Sequence, residues 1–256
     1  MNGAFEISGV GLVTQQQALD AIAGNIANVN TPGFKRAEVR FSEILARQLD
    51  PSNPRSDLAG APATASVSAR VSIALDEQGD LEPTGHMLDL AIEGRGFVEL
   101  LGPRGEILLW RGGRLSIQAD GTLATADGLA LRAMISAPEN ATSIAIGADG
   151  VAIAIIEGQD GPIDLGRIGL VGVASANDVE RLDGGLYRLR EDARVEQLDA
   201  NENGAGTFVQ GAIERSNVDL NDEMVRLMIV QRAYAANAQI VQAADQLMAI
   251  VNGLRR

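Results

Sequence analysis

The sequence predicts an α+β fold, with long N- and C-terminal helices pairing as a coiled-coil-like core and an all-β middle domain. Three observations carry this. Residues 216–256 contain no proline and repeat their apolar positions at spacings of three and four, which stacks side chains into stripes along a helix. Residues 11–30 do the same over a shorter span. Between them the apolar period falls to two, and Asp-Gly pairs recur at 120, 127, 149, 160 and 183, the punctuation of hairpins and turns.

The C-terminal stretch carries two seams. One runs through Leu220, Met224, Leu227, Gln231, Tyr234, Ala238, Val241, Asp245 and Met248, the other through Val230, Ala233, Asn237, Ile240, Ala244, Leu247, Val251 and Leu254. Two adjacent seams make a face wider than a two-stranded coiled coil needs. Such a helix needs more than one neighbour. Ser216, Asn217, Asp219 and Asn221 are candidate N-caps, and Asp222 and Glu223 suit the positive end of the helix dipole.

Near the start, Leu12, Leu19, Ile22, Ile26 and Val29 form the matching seam, with Gln15 in the missing position. Ala18, Ala21, Ala23 and Ala27 keep the surface small, which permits close helix approach. The helix ends near Thr31-Pro32-Gly33, because proline disfavours helical geometry in the residue before it. Gly33 is the residue expected at positive φ, and Phe34 is expected to pack back on the helix. The apolar pattern beyond it, Val39, Phe41, Ile44 and Leu45, cannot continue the same stripe.

These signals divide the chain at 1–47 (helix and turn), 48–70, 71–215 (β-rich) and 216–256 (helix). Residues 48–70 hold Pro51, Pro54, Pro62 and Gly60 among Ser and Ala, and read as an extended linker or loop.

Hydrophobic residues make up 46% of the 256, but aromatics only 3%, so Ala, Leu, Ile and Val must carry the core. The net charge is −13. Residues 1–50 contribute −1 and residues 216–256 nothing, so the middle holds −12. That pattern predicts packed ends, a solvated centre and no nucleic-acid partner. No cysteine is present, which excludes disulfides and thiolate chemistry. No run is long enough for a membrane span, and Gln15, Gln16, Gln17 and Asp20 interrupt any secretory leader. Neither membrane insertion nor a cleaved signal is expected.

Nothing points to an enzyme or a cofactor. Gly94-Arg95-Gly96 has Glu99 where a dinucleotide loop needs its third glycine, and a strand-like run follows, so it reads as a tight turn. Asp199-Ala-Asn201-Glu-Asn203-Gly204 matches half of a calcium loop, but the twelfth place is Gln210. It reads as an Asn/Gly turn, with weak metal binding the sharper alternative. His86 is the only histidine, which leaves a Ser–His triad or histidine metal site without partners and favours a surface turn.

Three stretches together resemble one family. Asn25-Ile-Ala-Asn28-Val-Asn-Thr31-Pro32-Gly33-Phe34-Lys35-Arg36, Leu88-Asp-Leu-Ala-Ile-Glu-Gly94-Arg-Gly-Phe97, and Ser216-Asn-Val218 with Gln231-Arg-Ala-Tyr234 resemble, in order, the signatures of bacterial flagellar rod and hook proteins. Val179-Glu-Arg-Leu-Asp-Gly-Gly-Leu-Tyr-Arg-Leu189 resembles the proximal-rod members of that family in particular. The resemblance implies a structural subunit of the basal-body rod, in its distal part, with the proximal rod or hook as alternatives. It further implies self-assembly of the terminal helices into a helical homo-oligomer that transmits torque. Contacts with other rod and hook proteins and with the type III export apparatus follow, as does a periplasmic location in the basal body. Asn25 and Asn28 join the seam residues as expected assembly positions. Readings of another class are a non-polymerising binding module and a rod-associated cell-wall hydrolase. The hydrolase would need two positioned carboxylates, and no spacing singles out such a pair.

Overall fold

The computed structural model describes residues 2–45, 65–157, 161–190, 193–201 and 205–254. The chain forms two compact units, one of residues 1–24, 37–72 and 221–256, the other of residues 25–36 and 73–220. The first is helical with a pair of strands, the second almost entirely β. No helix among the described residues is long and apolar enough to cross a membrane.

In the helical unit, α1 (Asn2–Ala27) starts nine residues before the spacing argument places it, and α2 spans Leu220–Leu254. Asp222 and Glu223 lie in the first turn of α2, where their charge suits the dipole. A Cβ on Gly11 would stand 2.9 Å from Nδ2 of Asn237, and Ala18 and Ile22 line a cleft with Val230 and Ala233. The two helices therefore run in opposite directions along each other. Strands Ala37–Leu45 and Ala65–Ile73 pair in a two-stranded sheet. The second takes in Ala65–Arg70, the end of the stretch read as a linker. Val67, Val71 and Ile73 alternate there with Ser and Arg, and a partner strand turns that alternation into a ladder. Residues 46–64 lie outside the described residues.

The β unit is built on a nine-stranded antiparallel sheet. Its spatial order is Val179–Arg181, Leu186–Leu189, Ile107–Trp110, Val98–Leu101, Ala130–Leu131, Leu123–Thr125, Gly112–Ile117, Asp89–Glu93 and Thr207–Gln210. A three-stranded sheet (Ala141–Ile146, Val151–Ile156, Ile163–Arg167) and the pairs Leu170–Val173 with Val195–Leu198 and Leu81–Pro83 with Ala212–Glu214 complete it. Four of the Asp-Gly turns place their glycine at φ between 73° and 85°. The fifth involves Asp160, outside the described residues. Leu90, Ile92, Leu100, Leu123, Leu131 and Ile135 form the centre of a core with no exposed surface. A second cluster gathers Ile73, Phe97, Leu109, Val171, Val179 and Tyr187, with Phe97 and Tyr187 edge to face at 5.5 Å.

Asp89 opens the strand Asp89–Glu93 and is fully buried. Arg114 donates to both its oxygens at 2.8 and 3.2 Å, and the Thr84 hydroxyl donates at 2.7 Å. The Arg114 hydrogen bonds hold its carboxyl below the usual range, against the opposing effect of burial. A depressed folded pKa stabilises the fold above the unfolded value of about 3.9, and that contribution disappears as pH falls through the folded value. Urea unfolding of wild type and Asp89→Asn at pH 6 and pH 3 should show the stability gap narrowing at the lower pH. An equal gap at both values would mean Asp89 gains nothing from being ionised.

Candidate functional site

Two features bear on function, one in each unit. In the helical unit it is the surface of α2. Glu223 is buried, and Leu227, Val230, Ala233, Asn237, Ala238, Val241 and Ala244 are half-buried. That inner stripe draws on both predicted seams. Leu220, Met224, Gln231 and Tyr234 of the first seam are exposed, and the side chain of Met248 lies outside the described residues. On α1, Leu12, Leu19 and Ile26 are half-buried, while Ile22 is buried. Val225, Met228 and Ile229, assigned to neither seam, are 57–61% exposed.

The second feature, in the β unit, is the junction formed by the turn after α1 and the segment before α2. Turn formation is local: the amides of Asn28, Thr31 and Phe34 donate to the carbonyls three residues earlier, and the Thr31 hydroxyl donates to Asn28 Oδ1 at 3.1 Å. Asn25 is buried and Asn28 half-buried, Thr31 is half-buried, Pro32 exposed, and Gly33 and Phe34 buried. Gly33 takes φ 67°, as the turn requires. Phe34 has the Arg181 guanidinium 4.6 Å over its ring, where the sequence suggested packing on the helix. Burial lowers the pKa of that guanidinium. The cation–π contact gives it a partner.

The turn docks on Asp183-Gly-Gly-Leu-Tyr187. Gly185 sits at φ 74°, and a Cβ there would come 2.7 Å from the Pro32 carbonyl oxygen, so only glycine fits. The buried Tyr187 hydroxyl donates to the Gly33 carbonyl at 3.2 Å and accepts from the Lys35 amide at 3.0 Å. Burial pushes its phenol well above the ordinary range.

Below the turn lies a buried charge cluster. Lys35 Nζ donates to Glu214 Oε1 at 2.6 Å and to the Glu77 carbonyl at 2.6 Å. Arg111 Nε donates to Glu214 Oε2 at 2.8 Å, and its two terminal nitrogens donate to the carbonyls of Gly94 and Gly96. Gly79 N donates to Glu214 Oε1 at 3.0 Å. Lys35, Glu214 and Arg111 are 0%, 1% and 2% exposed. Burial pulls the Lys35 ammonium below the usual lysine range, while Glu214 opposes the shift. Beside the cluster, Asn217 Oδ1 accepts from the Arg36 amide at 2.7 Å, and its Nδ2 donates to the carbonyls of Ala74 and Glu77. Asn217 thus ties the segment after the turn to the loop at residues 74–77 instead of capping α2. The Gly94-Arg-Gly96 turn, with φ of 100° and 127° at its glycines, supplies carbonyls to Arg111.

Three stretches that look separate in the sequence therefore close on one carboxylate. Compared with known proteins, residues 5–35 match the model for "Flagella basal body rod protein", 91–154 the "Flagellar hook protein FlgE/F/G D1 domain", and 209–254 the "Flagellar basal body rod FlgEFG protein C-terminal". The chain is 32% identical to the flagellar basal-body rod protein FlgG of Caulobacter vibrioides over 98% of its own length and 99% of the relative's. The chain belongs to the flagellar basal-body rod protein family. Its FlgG relative in Bacillus subtilis is 30% identical, with 96% of each chain covered. One from Buchnera aphidicola subsp. Acyrthosiphon pisum is 31% identical over 94% and 95%. The role of this rod protein is that of a structural subunit.

Sequence reasoning missed Glu214, Arg111 and Tyr187. Their partners lie 179, 103 and 152 residues away along the chain, and no local pattern links them. The one available signal is Glu214 itself, a charge at an inward position of the strand Ala212–Glu214. Among the described residues, no group of three metal-ligating side chains occurs. His86 is exposed. In the half calcium loop, Asn201 takes φ 70° and residues 202–204 lie outside the described residues, while the Gln210 amide is bonded to Ile146 N and to the Ile144 and Met87 carbonyls.

Two variants test the junction. A Cβ on Gly33 would lie 3.1 Å from Arg111 Cβ, so Gly33→Val should cost roughly 1–3 kcal/mol from backbone strain, plus crowding. Gly33→Asn should cost less, because Asn enters the left-handed region more readily. Equal melting temperatures for the two would show that the backbone angle is not the constraint. Tyr187→Phe removes the buried hydroxyl and leaves the Lys35 amide without its acceptor. A loss of about 1–3 kcal/mol in denaturant unfolding is expected, and an unchanged midpoint would mean that water replaces the hydroxyl.

Proposed function

We propose that this rod protein polymerises in the distal part of the rod. In this reading α1 and α2 of one chain pair as a coiled-coil-like core and then pack against the same helices of neighbouring copies. The result is a helical tube that transmits torque. The carrying observation is that Leu220, Met224, Val225, Met228 and Ile229 of α2 are 41–61% exposed in the isolated chain. Burying a side chain of this kind contributes roughly 1.5–3 kcal/mol, so a neighbouring helix has a large driving force to cover them. Contacts that repeat without closing give a filament.

The assembly positions in this reading are Leu12, Leu19, Ile22, Asn25, Ile26 and Asn28 on α1, with Leu220, Met224, Leu227, Gln231, Tyr234, Val241 and Met248 on α2. Val225, Met228 and Ile229 join them on grounds of exposure. Other rod and hook proteins are the axial partners, and the flagellar export apparatus delivers the chain to the periplasm. The part is mechanical, with no reaction catalysed. The relatives named FlgG favour the distal position over the proximal rod or hook.

Met228→Glu tests this directly, because Met228 is 58% exposed and its replacement should leave the isolated chain folded. The purified wild type should self-associate in sedimentation experiments and the variant should stay monomeric with a similar melting temperature. In a strain lacking its own copy, the variant should give basal bodies with incomplete rods. Leu227→Asp, at a half-buried position, should give the same defect. Complete rods and normal swimming with both variants would sink the assembly role of this face.

A further inference from the structure

Lys35 is the only lysine in the chain, and the other 20 basic residues are arginine. It lies in a cluster of unequal charge, where Lys35 and Arg111 share the single carboxylate of Glu214. The carbonyls of Glu77, Gly94 and Gly96 meet the surplus positive charge with dipoles. The three charged groups come from different parts of the chain. Arg111 links the sheet strands Ile107–Trp110 and Gly112–Ile117, Lys35 arrives with the turn after α1, and Glu214 arrives with the segment before α2.

Taking the groups away one at a time gives an asymmetry. Without Lys35, Glu214 and Arg111 remain a neutral pair, with Gly79 N completing the carboxylate. Without Glu214, two cations would share a site that excludes water, and an uncompensated buried charge is strongly unfavourable. Three bonds also join the two segments: Gly33 N donates to the Glu214 carbonyl, Asn217 N to the Phe34 carbonyl, and Arg36 N to the Asn217 side chain. Those bonds serve both segments alike, and the asymmetry lies in the counter-charge that the turn takes from Glu214.

We propose that the Lys35–Glu214–Arg111 cluster is a one-way latch: the segment at residues 211–217 docks on the sheet independently, and the turn at residues 31–36 docks only once Glu214 is in place. The chain's N-terminal junction is thereby conditional on its C-terminal one, although 179 residues separate Lys35 from Glu214. Resting on the reading of the chain as a filament subunit, the latch sets the segment leaving α1 only in molecules whose segment entering α2 is already seated. Lys35 and Glu214 are positioning residues in this scheme, acting on the backbone turn.

Hydrogen exchange on the full chain reads the order. Lys35→Met should change protection of amides 212–217 by less than about threefold. Glu214→Gln should accelerate exchange of the Gly33 and Lys35 amides by about 100-fold or more. It should also expose the Lys35 amine to acetylation, while the remaining sheet amides stay protected. Adding Lys35→Met to Glu214→Gln removes one of the two clashing cations and should restore at least tenfold of the lost protection at Gly33. Absence of that rescue would reduce the cluster to ordinary packing and overturn the proposal. Native-state exchange of the wild type at low denaturant gives an arm that needs no variant. Amides 31–36 should open with or before amides 212–217. Opening of 212–217 while the turn stays closed would reverse the order and also overturn the latch. Neither readout involves filament growth, so a failed latch and a failed assembly reading would be told apart.

Discussion

Glu214 is the constraint on which the rest of the junction depends. Its two oxygens accept from a lysine, an arginine and a backbone amide, all within 3.0 Å. A buried ion pair of this kind contributes little net stability compared with well-packed apolar side chains, because desolvation offsets most of the attraction. Its value lies in geometry. Only one arrangement of the turn, the Gly94–Gly96 loop and the C-terminal segment satisfies every donor at once, and any other arrangement leaves a charge buried alone. Parts of the signatures that mark the chain as a rod protein, the turn with Lys35 and the Gly94–Gly96 loop, are therefore joined in one network through Glu214 and Arg111.

The receptor for the turn follows the same economy. Aromatic residues are scarce here, and several of them gather at this junction. Tyr187 stacks edge-on against Phe97 and spends its hydroxyl on both sides of the turn. Arg181 covers Phe34, and Arg111 lies 5.8 Å over Phe97. An aromatic ring offers an apolar body to the core and a face to a guanidinium. That combination lets arginines enter a buried region that also has to hold a polar turn.

The helical unit poses the opposite problem. Its long helix has more apolar surface than α1 can cover, since one antiparallel neighbour screens only one side of a cylinder. The inner stripe on α2, from Glu223 to Ala244, falls between the two seams read from the spacing, and a third ridge at Val225, Met228 and Ile229 remains bare. Helical periodicity identifies which positions share a face. Which face is covered within one chain depends on where α1 lies, and heptad spacing carries no information about that.

The sequence by itself determined the class of fold, the two terminal helices, the turn at Pro32-Gly33, the positive φ of Gly33 and the family, because each rests on spacing or on a residue's own backbone preferences. Helix periods, a proline's effect on the residue before it and Asp-Gly turns are local properties; both helices form, Gly33 takes φ 67°, and four of the Asp-Gly turns place their glycine at positive φ. Only the tertiary structure decided that Asn217 ties Arg36 to the loop at residues 74–77, that Phe34 lies under Arg181, that Ala65–Arg70 is a strand, and that Lys35 and Arg111 meet Glu214. Each depends on partners brought together from distant parts of the chain. A buried charge looks like any other charge in a sequence, and it becomes a constraint only when folding removes water from it.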